Sequence, residues 1–361
     1  MIIGIDCGCL GIKESENRGG IYSLTKTLLI SLGKIDKENK YILYSFYPID
    51  KKLMKEFGAN MRNIVVTPSR GWMSFFIPIQ IHKDRPDLFI GISQAIPRKI
   101  PFLYYPKIIS VFYDLGFEIF PQMYLGFSKK LKKNSRYAAL NSDLIIASSK
   151  NTKKDLSKRY KIEEFKIKVV YPSIQDNFSK KIKKFKNKNP YFLFVGAFKP
   201  TKNLQNIIKA FIEFSKIHSK KFDLILAGGE DEQIKQIAKS NSKLRIKIMG
   251  FVSDLELQRL YKGAFAFISP SFYEGFGMTF LEAMRIGLPV VTSKRGSISE
   301  VVSQNCIFVN PENYKDIANK MLKLVSDKKL KNEISKEEIK KSKKFSQVKF
   351  AKEFLQIINS I

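Results

Sequence analysis

Ser271-Phe272-Tyr273-Glu274-Gly275-Phe276-Gly277-Met278-Thr279-Phe280-Leu281-Glu282-Ala283-Met284, followed by Gly287-Leu288-Pro289 and Val290-Val291-Thr292, is the stretch on which the fold turns. It reads as a strand end, a glycine-rich turn, a helix from about Met278, a glycine stop, a proline that bars continuation, and a fresh strand. Gly275 and Gly277 let backbone approach a ligand closely, and the amides that open the helix suit a phosphate. A diphosphate is the expected occupant.

Outward from that unit, short β-rich runs alternate with longer amphipathic segments, which predicts βα units and parallel sheets. Strands are expected at Ile2–Asp6, Tyr41–Phe46, Asn63–Thr67, Leu88–Gly91, Lys107–Phe112, Leu144–Ala147 and Lys168–Tyr171. A second series starts with the buried-strand run Tyr191-Phe192-Leu193-Phe194-Val195-Gly196 and continues at Asp223–Ala227, Ile246–Gly250, Ala264–Ser269, Val290–Thr292 and Cys306–Val309. Between the series lies a charged stretch of low hydrophobicity, closed by Pro190. The expected organisation is therefore an N-terminal Rossmann-like domain over 1–178, a linker over 179–190, and a second Rossmann-like domain over 191–344. The last segment, 345–361, is an amphipathic helix with Phe350, Phe354, Ile357 and Ile358 as its packing stripe, expected to return to the N-terminal domain. Two doubly wound domains imply a ligand in the cleft between facing carboxyl-end loops.

At 361 residues, with 44% hydrophobic and 27% charged residues, the chain has the balance of a folded two-domain protein rather than a disordered one. The most apolar stretch, around Ile108 to Phe127, is broken by Asp114, Glu118 and Pro121, so no membrane span is expected. Met1 to Asp6 lacks a basic leader and reads as a first strand. Cys7, Cys9 and Cys306 fit no metal spacing or disulfide framework, which suits a reducing cytoplasm, and His82 and His218 are too few for a histidine-rich metal centre. No metal is expected.

The formal charge of +31 comes mainly from lysine. It has a plain reading, solvated lysine-decorated faces, and a functional one, attraction to an anionic membrane surface. Nucleic-acid binding is disfavoured, because arginine is sparse and no nucleic-acid-binding motif is present. A basic amphipathic helix is expected from Tyr124 to Tyr137, with Lys129, Lys130, Lys132, Lys133 and Arg136 among Leu125, Phe127 and Leu131. It reads equally as a solvated surface helix and as a dock for anionic lipid.

Glu274 precedes the glycine turn and Glu282 lies inside the helix, so the two can address different ends of one ligand. A carboxylate accepts two hydrogen bonds at once, which suits hydroxyl pairs on a hexose or a ribose. Either acid alone would pass as a solvated loop or helix carboxylate, but two acids around glycines at an apolar strand end would not. In Val195-Gly196-Ala197-Phe198-Lys199-Pro200-Thr201-Lys202-Asn203-Leu204 a strand runs into a helix starting near Asn203, and a lysine there can meet a phosphate.

On these motifs the chain resembles the GT-B family of retaining glycosyltransferases known as family 4, whose hallmark is Glu, seven residues, Glu. The resemblance covers nearly the whole chain, and its nearest subgroup is bacterial transferases, many of them mannosyltransferases of surface-polysaccharide synthesis. It implies that Glu274 contacts donor-sugar hydroxyls, that Gly275, Phe276, Gly277, Met278 and Thr279 line the sugar and diphosphate, and that Glu282 binds the ribose. Lys202 resembles the phosphate-binding lysine. Thr201 and Ala197 stand where relatives usually place an arginine, with Lys199 as the candidate to compensate. Asn17-Arg18-Gly19-Gly20 resembles the glycine-rich acceptor-side loop, which makes Gly19 and Gly20 neighbours of the β-phosphate and Arg18 an acceptor or phosphate contact. Tyr113-Asp114 resembles a His-Asp pair, with Tyr113 in the histidine's place as a sugar contact or a core tyrosine and Asp114 as a sugar or loop anchor.

Asn141 to Ser149 and Leu226 to Glu230 resemble further family strands. The cluster Glu230-Asp231-Glu232 reads as a solvated acidic turn, and Ser297-Ile298-Ser299-Glu300 as a helix capping box. The implied activity is metal-independent, retaining transfer of a hexose, mannose from GDP-mannose as first guess, to a saccharide or polyprenyl-linked saccharide, in the cytoplasm at the inner face of the membrane. No cofactor is implied. A sugar-nucleotide epimerase or phosphorylase on the same fold, or a noncatalytic sugar-nucleotide or glycan-binding protein, remains the alternative.

Overall fold

The structure, a computed structural model, describes residues 1–11, 19–124, 128–175, 182–241 and 244–361. Arg18, Leu125, Phe127 and the first residues of the expected linker, 179–181, lie outside the described residues. The chain divides into two compact units, Met1–Gln175 with Phe345–Ile361, and Asp176–Lys344.

In the first unit seven strands form one parallel sheet: β1 (Ile2–Asp6), β2 (Lys40–Ser45), β3 (Met61–Val65), β4 (Leu88–Gly91), β5 (Lys107–Phe112), β6 (Leu144–Ala147) and β7 (Ile167–Val169). Their order is β3-β2-β1-β4-β5-β6-β7. Because side chains alternate across a strand, each strand feeds two cores. Leu43, Ile90 and Ile109 enter one cluster, while their chain neighbours Ile42, Phe89 and Ile108 enter the other. Burial on both faces is why these strands read as unbroken apolar runs.

The terminal helix Gln347–Ile358 belongs to this unit. Ser346 caps it through the Lys349 amide, and Phe350, Ala351, Phe354 and Ile358 share a core cluster with Leu28, Leu29 and Leu32 of the helix Gly20–Ile35. Ser173 Oγ donates to the Phe345 carbonyl at 2.7 Å. Burying each of those phenylalanines contributes about 1.5–3 kcal/mol, enough to hold the returning segment in place.

The second unit has six parallel strands: β8 (Tyr191–Val195), β9 (Asp223–Ala227), β10 (Arg245–Gly250), β11 (Ala266–Ser269), β12 (Val290–Thr292) and β13 (Ile307–Phe308), in the order β10-β9-β8-β11-β12-β13. Phe192, Phe194, Phe211 and Phe214 dominate its core. In both sheets the winding reverses beside the first strand, between β1 and β4 and between β8 and β11. The crevice at the carboxyl ends of such a pair is where doubly wound sheets hold ligands.

Two segments differ from expectation in detail. The chain after β8 makes a 3-10 turn over Pro200–Lys202 before the helix Leu204–Ile217 begins, because Asn203 is left-handed at φ 62°. The basic helix runs from Ser128 to Asn141, and its Ala138, Ala139 and Leu131 face the core while Leu140 is exposed. Among the described residues no helix is long and apolar enough to cross a membrane.

Candidate functional site

In the second unit the switch point brings Lys202, after β8, to Glu274, after β11. Lys202 Nζ donates to Glu274 Oε1 at 2.6 Å and Oε2 at 2.7 Å. Ser271 Oγ donates to Glu274 Oε1 at 2.9 Å. The carboxylate is thus held from two sides, with Glu274 buried and Lys202 half-buried.

Backbone contacts lock both loops. The Phe272 amide donates to the Thr201 carbonyl at 2.9 Å, tying the lysine turn to the glutamate loop. Asn203 keeps its left-handed backbone while its amide donates to the Pro270 and Pro311 carbonyls at 3.0 and 2.7 Å, a conformation asparagine tolerates better than most residues. Gly296, at φ 60°, lies so close that a Cβ there would sit 2.5 Å from the Glu274 carbonyl oxygen. Of the two positions where the resemblance leads one to expect an arginine, Thr201 is buried and Ala197 is exposed.

Gly277 opens the helix Met278–Ile286 at φ 90° with no side-chain cap, where a Cβ would lie 2.4 Å from Phe280 Cδ2. Met278 and Thr279 are half-buried at its start, and Gly275 and Phe276 are buried behind it. One turn on, Glu282 Oε2 accepts a hydrogen bond from Tyr261 OH at 2.8 Å, and the same phenol lies 3.2 Å from the Thr279 carbonyl. Burial pushes the Glu282 carboxyl up to about 7, with Asp254 adding to the rise and the Tyr261 bond opposing it. Lys199 is exposed, at the start of the 3-10 turn.

Gly19, Gly20, Tyr113 and Asp114 belong to the first unit. Gly19 is extended at φ −72°, Gly20 begins the helix, and no described atom lies within 4 Å of a Cβ built on either. Packing among the described residues therefore does not dictate glycine at these two positions. Tyr113 is packed against the core cluster, and burial raises its phenol well above its usual range, with Cys9 and Asp6 adding to the rise. Asp114 Oδ1 accepts the Gly116 amide at 2.8 Å, closing a turn.

Sequence reasoning missed three residues that hold the two glutamates. Ser271 sits in the quoted stretch without a role, and Tyr261 and Gly296 carry no local signal. In the first unit, Asp6 reads from the sequence only as the last residue of a strand. Asp6 is buried where β1 meets β4, accepting the Gly8 amide at 3.1 Å and Ser93 Oγ at 2.9 Å, and burial raises its carboxyl. The capping box expected at Ser297 is corrected. Ser297 has helical backbone and makes no cap bond, and its Oγ instead donates to the Glu274 carbonyl at 3.1 Å. Asp231 caps the helix Glu232–Ser240, and Lys235 pairs with Glu230 and Glu232.

Residues 175–341 match the family model described as glycosyl transferases group 1. O-antigen chain mannosyltransferase B of Escherichia coli is 34% identical over 141 residues, 38% of this chain and 37% of that protein. O-antigen chain mannosyltransferase RfbU of Salmonella typhimurium is 34% identical over 175 residues, 47% of this chain and 48% of its own. The matches span less than half the length of these curated relatives. Among solved structures, HepE of Anabaena in complex with UDP and glucose matches with a TM-score of 0.77 over 100% of both chains, at 18% identity. That likeness shows the fold, two Rossmann-like α/β domains of the GT-B class.

Proposed function

Residues 175–341 being a glycosyl transferases group 1 domain, we propose that this chain moves a hexose, mannose by preference, from a nucleotide-sugar donor to a saccharide or polyprenyl-linked saccharide acceptor in surface-polysaccharide synthesis. The observation that carries this reading is the Lys202–Glu274 clasp beside the glycine-opened start of the helix Met278–Ile286. It sets a cation and a hydroxyl acceptor on the loop that leads into the first-turn amides of a helix, and these are the three groups a sugar diphosphate calls for. The two O-antigen mannosyltransferase relatives support mannose, and GDP-mannose is the donor we propose.

In this reading Glu274 accepts from the donor sugar's hydroxyls, Lys202 and the amides of Gly277 to Thr279 hold the diphosphate, and Glu282 accepts from the ribose. The bond from the anomeric carbon to the phosphate oxygen breaks as the acceptor oxygen bonds to that carbon from the same face. The acceptor's proton passes to the departing phosphate oxygen, and configuration is retained. Lys202 and the helix amides offset the charge that grows on the leaving diphosphate, which is where electrostatic catalysis acts. With that charge met by the chain itself, turnover withstands chelators. Gly19 and Gly20 are proposed β-phosphate neighbours, Tyr113 and Asp114 the groups that shape the sugar side, and Lys199 an outer phosphate contact. The reaction belongs in the cytoplasm, at the inner face of the membrane.

The test is a panel of nucleotide sugars by thermal shift, followed by nucleoside diphosphate release with the best binder in the presence of EDTA and NMR of the product's anomeric proton. Binding without acceptor-dependent release would overturn the transferase reading, and an inverted product would overturn the mechanism.

A further inference from the structure

The first unit carries an apolar surface that its own core does not use. The segment from Trp72 to Asp84 runs as a π-helical turn, Trp72–Phe76, continued by the helix Ile77–Asp84. Trp72, Ile77 and Ile81 face inward, while Phe75 and Ile79, one helical turn apart, are 61% and 45% exposed. Lys83 continues that outward row by one more turn.

A neighbouring loop adds a third apolar side chain. The Arg98 amide donates to the Met73 carbonyl at 2.7 Å and the Tyr104 amide to His82 Nδ1 at 3.0 Å, so the loop is anchored at two points that bracket Phe75 and Ile79. At its tip, in the turn closed from Leu103 to Ile100, Phe102 is fully exposed with φ 66°. A bulky residue disfavours that backbone region, and a large apolar side chain disfavours water. Unfavourable conformations of this kind persist mainly where function uses them. The same loop is stitched to the basic helix, because Arg98 stacks 3.6 Å from the Tyr137 ring and the Lys99 amide donates to Tyr137 OH at 3.1 Å.

Charge identifies what covers this surface. The sequence has no acidic residue between Glu56 and Asp84, between Asp87 and Asp114, or between Glu118 and Asp143. Those three acid-free stretches are the ones that build the helix row, the loop and the basic helix, and they expose Lys83, Lys99 and Lys133. Apolar tips with exposed lysines on the same segments are complementary to an anionic bilayer, whose headgroups meet the lysines while the phenylalanines enter the acyl boundary. Asp87 and Asp143, which line a pocket with Lys99, bound the surface on that side. We propose that Phe75, Ile79 and Phe102 form a docking surface for an anionic membrane, with Lys83, Lys99 and Lys133 as its basic rim. The basic helix supplies rim charge rather than the inserted face, since its Leu131, Ala138 and Ala139 are packed inward.

The surface shares no residue with the proposed donor site and stands whether or not the transferase reading does. The full chain is sedimented with phosphatidylcholine vesicles, with and without phosphatidylglycerol, at low and high salt and without nucleotide. Binding to the anionic vesicles that weakens with salt is expected. Phe75→Ser with Phe102→Ser should lower partition at least about tenfold, and Lys99→Glu with Lys133→Glu should lower it on anionic vesicles only. Unchanged thermal melts would show that these exposed substitutions leave the fold intact. Failure of the unsubstituted chain to bind anionic vesicles at low salt, or equal partition of the double phenylalanine variant, would overturn the proposal. So would lipid-free self-association that the same variant abolishes. Nucleotide thermal shifts on these variants report on the donor site independently.

Discussion

Lys202 Nζ lies within 2.7 Å of both carboxylate oxygens of Glu274, so one ammonium spans the whole of one carboxylate. The two side chains are 21% and 8% exposed and come from loops after adjacent strands. A donor entering between them would replace the pair, its diphosphate taking the lysine and its hydroxyls the glutamate. Until then each holds the other in place. Truncating one leaves the other charged and largely shielded from water, which costs more than losing the pair's net attraction. Lys202→Ala and Glu274→Ala should each lower turnover at least about tenfold and stability by about 1–3 kcal/mol. The double variant should be less destabilised than the sum, because no orphaned charge remains. Nucleoside diphosphate release and urea unfolding measure both, and near-normal turnover in both single variants would refute the site.

Glu282 gives the site a pH dependence. Its carboxyl titrates at about 7 because burial disfavours the charge, while the hydrogen bond from Tyr261 favours it. The ionised carboxylate offers both oxygens as strong acceptors to a ribose diol, whereas the neutral acid turns one of them into a donor. Donor affinity should therefore weaken as pH falls from 8 to 6, the range in which this carboxyl takes up its proton. Removing the phenol's hydroxyl in Tyr261→Phe takes away a group that stabilises the anion, so the titration should move to higher pH, with KM more affected than kcat. Glu282→Gln should flatten the profile. Isothermal titration with the best donor across this range decides it, and a profile unmoved by Tyr261→Phe would show that the phenol does not position Glu282.

The strands were legible because they are buried on both faces. Tyr191 to Val195 reads as a strand because the run is short, rich in aromatic and β-branched side chains, and bounded by Pro190 and Gly196. Glu274, Lys202 and Glu282 were legible as positions, since glycine turns and helix starts are written locally. Their partners were not. Lys202 and Glu274 are 72 residues apart and Tyr261 and Glu282 21 apart, and those meetings come from strand order and helix packing. Ser297 shows the limit of a local pattern, because Ser-x-x-Glu can be spent on a cap or on a distant carbonyl, and Gly296 turns the chain so that Glu274 wins. The exposed row of Phe75 and Ile79 was hidden for a similar reason. An apolar run shows which residues are greasy, and only packing shows which of them are left outside.

Glu338 links stability to pH away from the site. It is fully buried on the helix Lys328–Ser342, its Oε2 accepting the Ser303 amide at 3.2 Å, with no hydrogen-bond partner for Oε1 among the described residues. Burial raises its carboxyl from 4.5 to about 7. Between those values the folded chain keeps a proton that the unfolded chain gives up, so stability falls as pH rises through the window. Glu282 contributes with the same sign. Glu338→Gln should remove its share of that slope and stabilise the protein at pH 8 by about 1–3 kcal/mol. Urea midpoints at pH 5 and 8 test this, and a variant with an unchanged slope would contradict it.

Two glycines separate a structural from a functional requirement. At Gly296 a Cβ would meet the Glu274 backbone at 2.5 Å and φ is 60°, so Gly296→Ala must push the Glu274 loop away or strain it. The expected result is lower stability, by about 1–3 kcal/mol, together with lower turnover. Gly20 is the opposite case, since a Cβ there meets no described atom and the residue starts a helix in which alanine is favoured over glycine. Gly20→Ala should leave the melting temperature unchanged or slightly raised. If a phosphate approaches this backbone during transfer, the added methyl should still cut turnover several-fold, because it occupies the space the ligand needs. A Gly20→Ala variant that is both as stable and as active as the parent would remove the glycine loop from the catalytic cycle, and leave the diphosphate to Lys202 and the helix after Gly277.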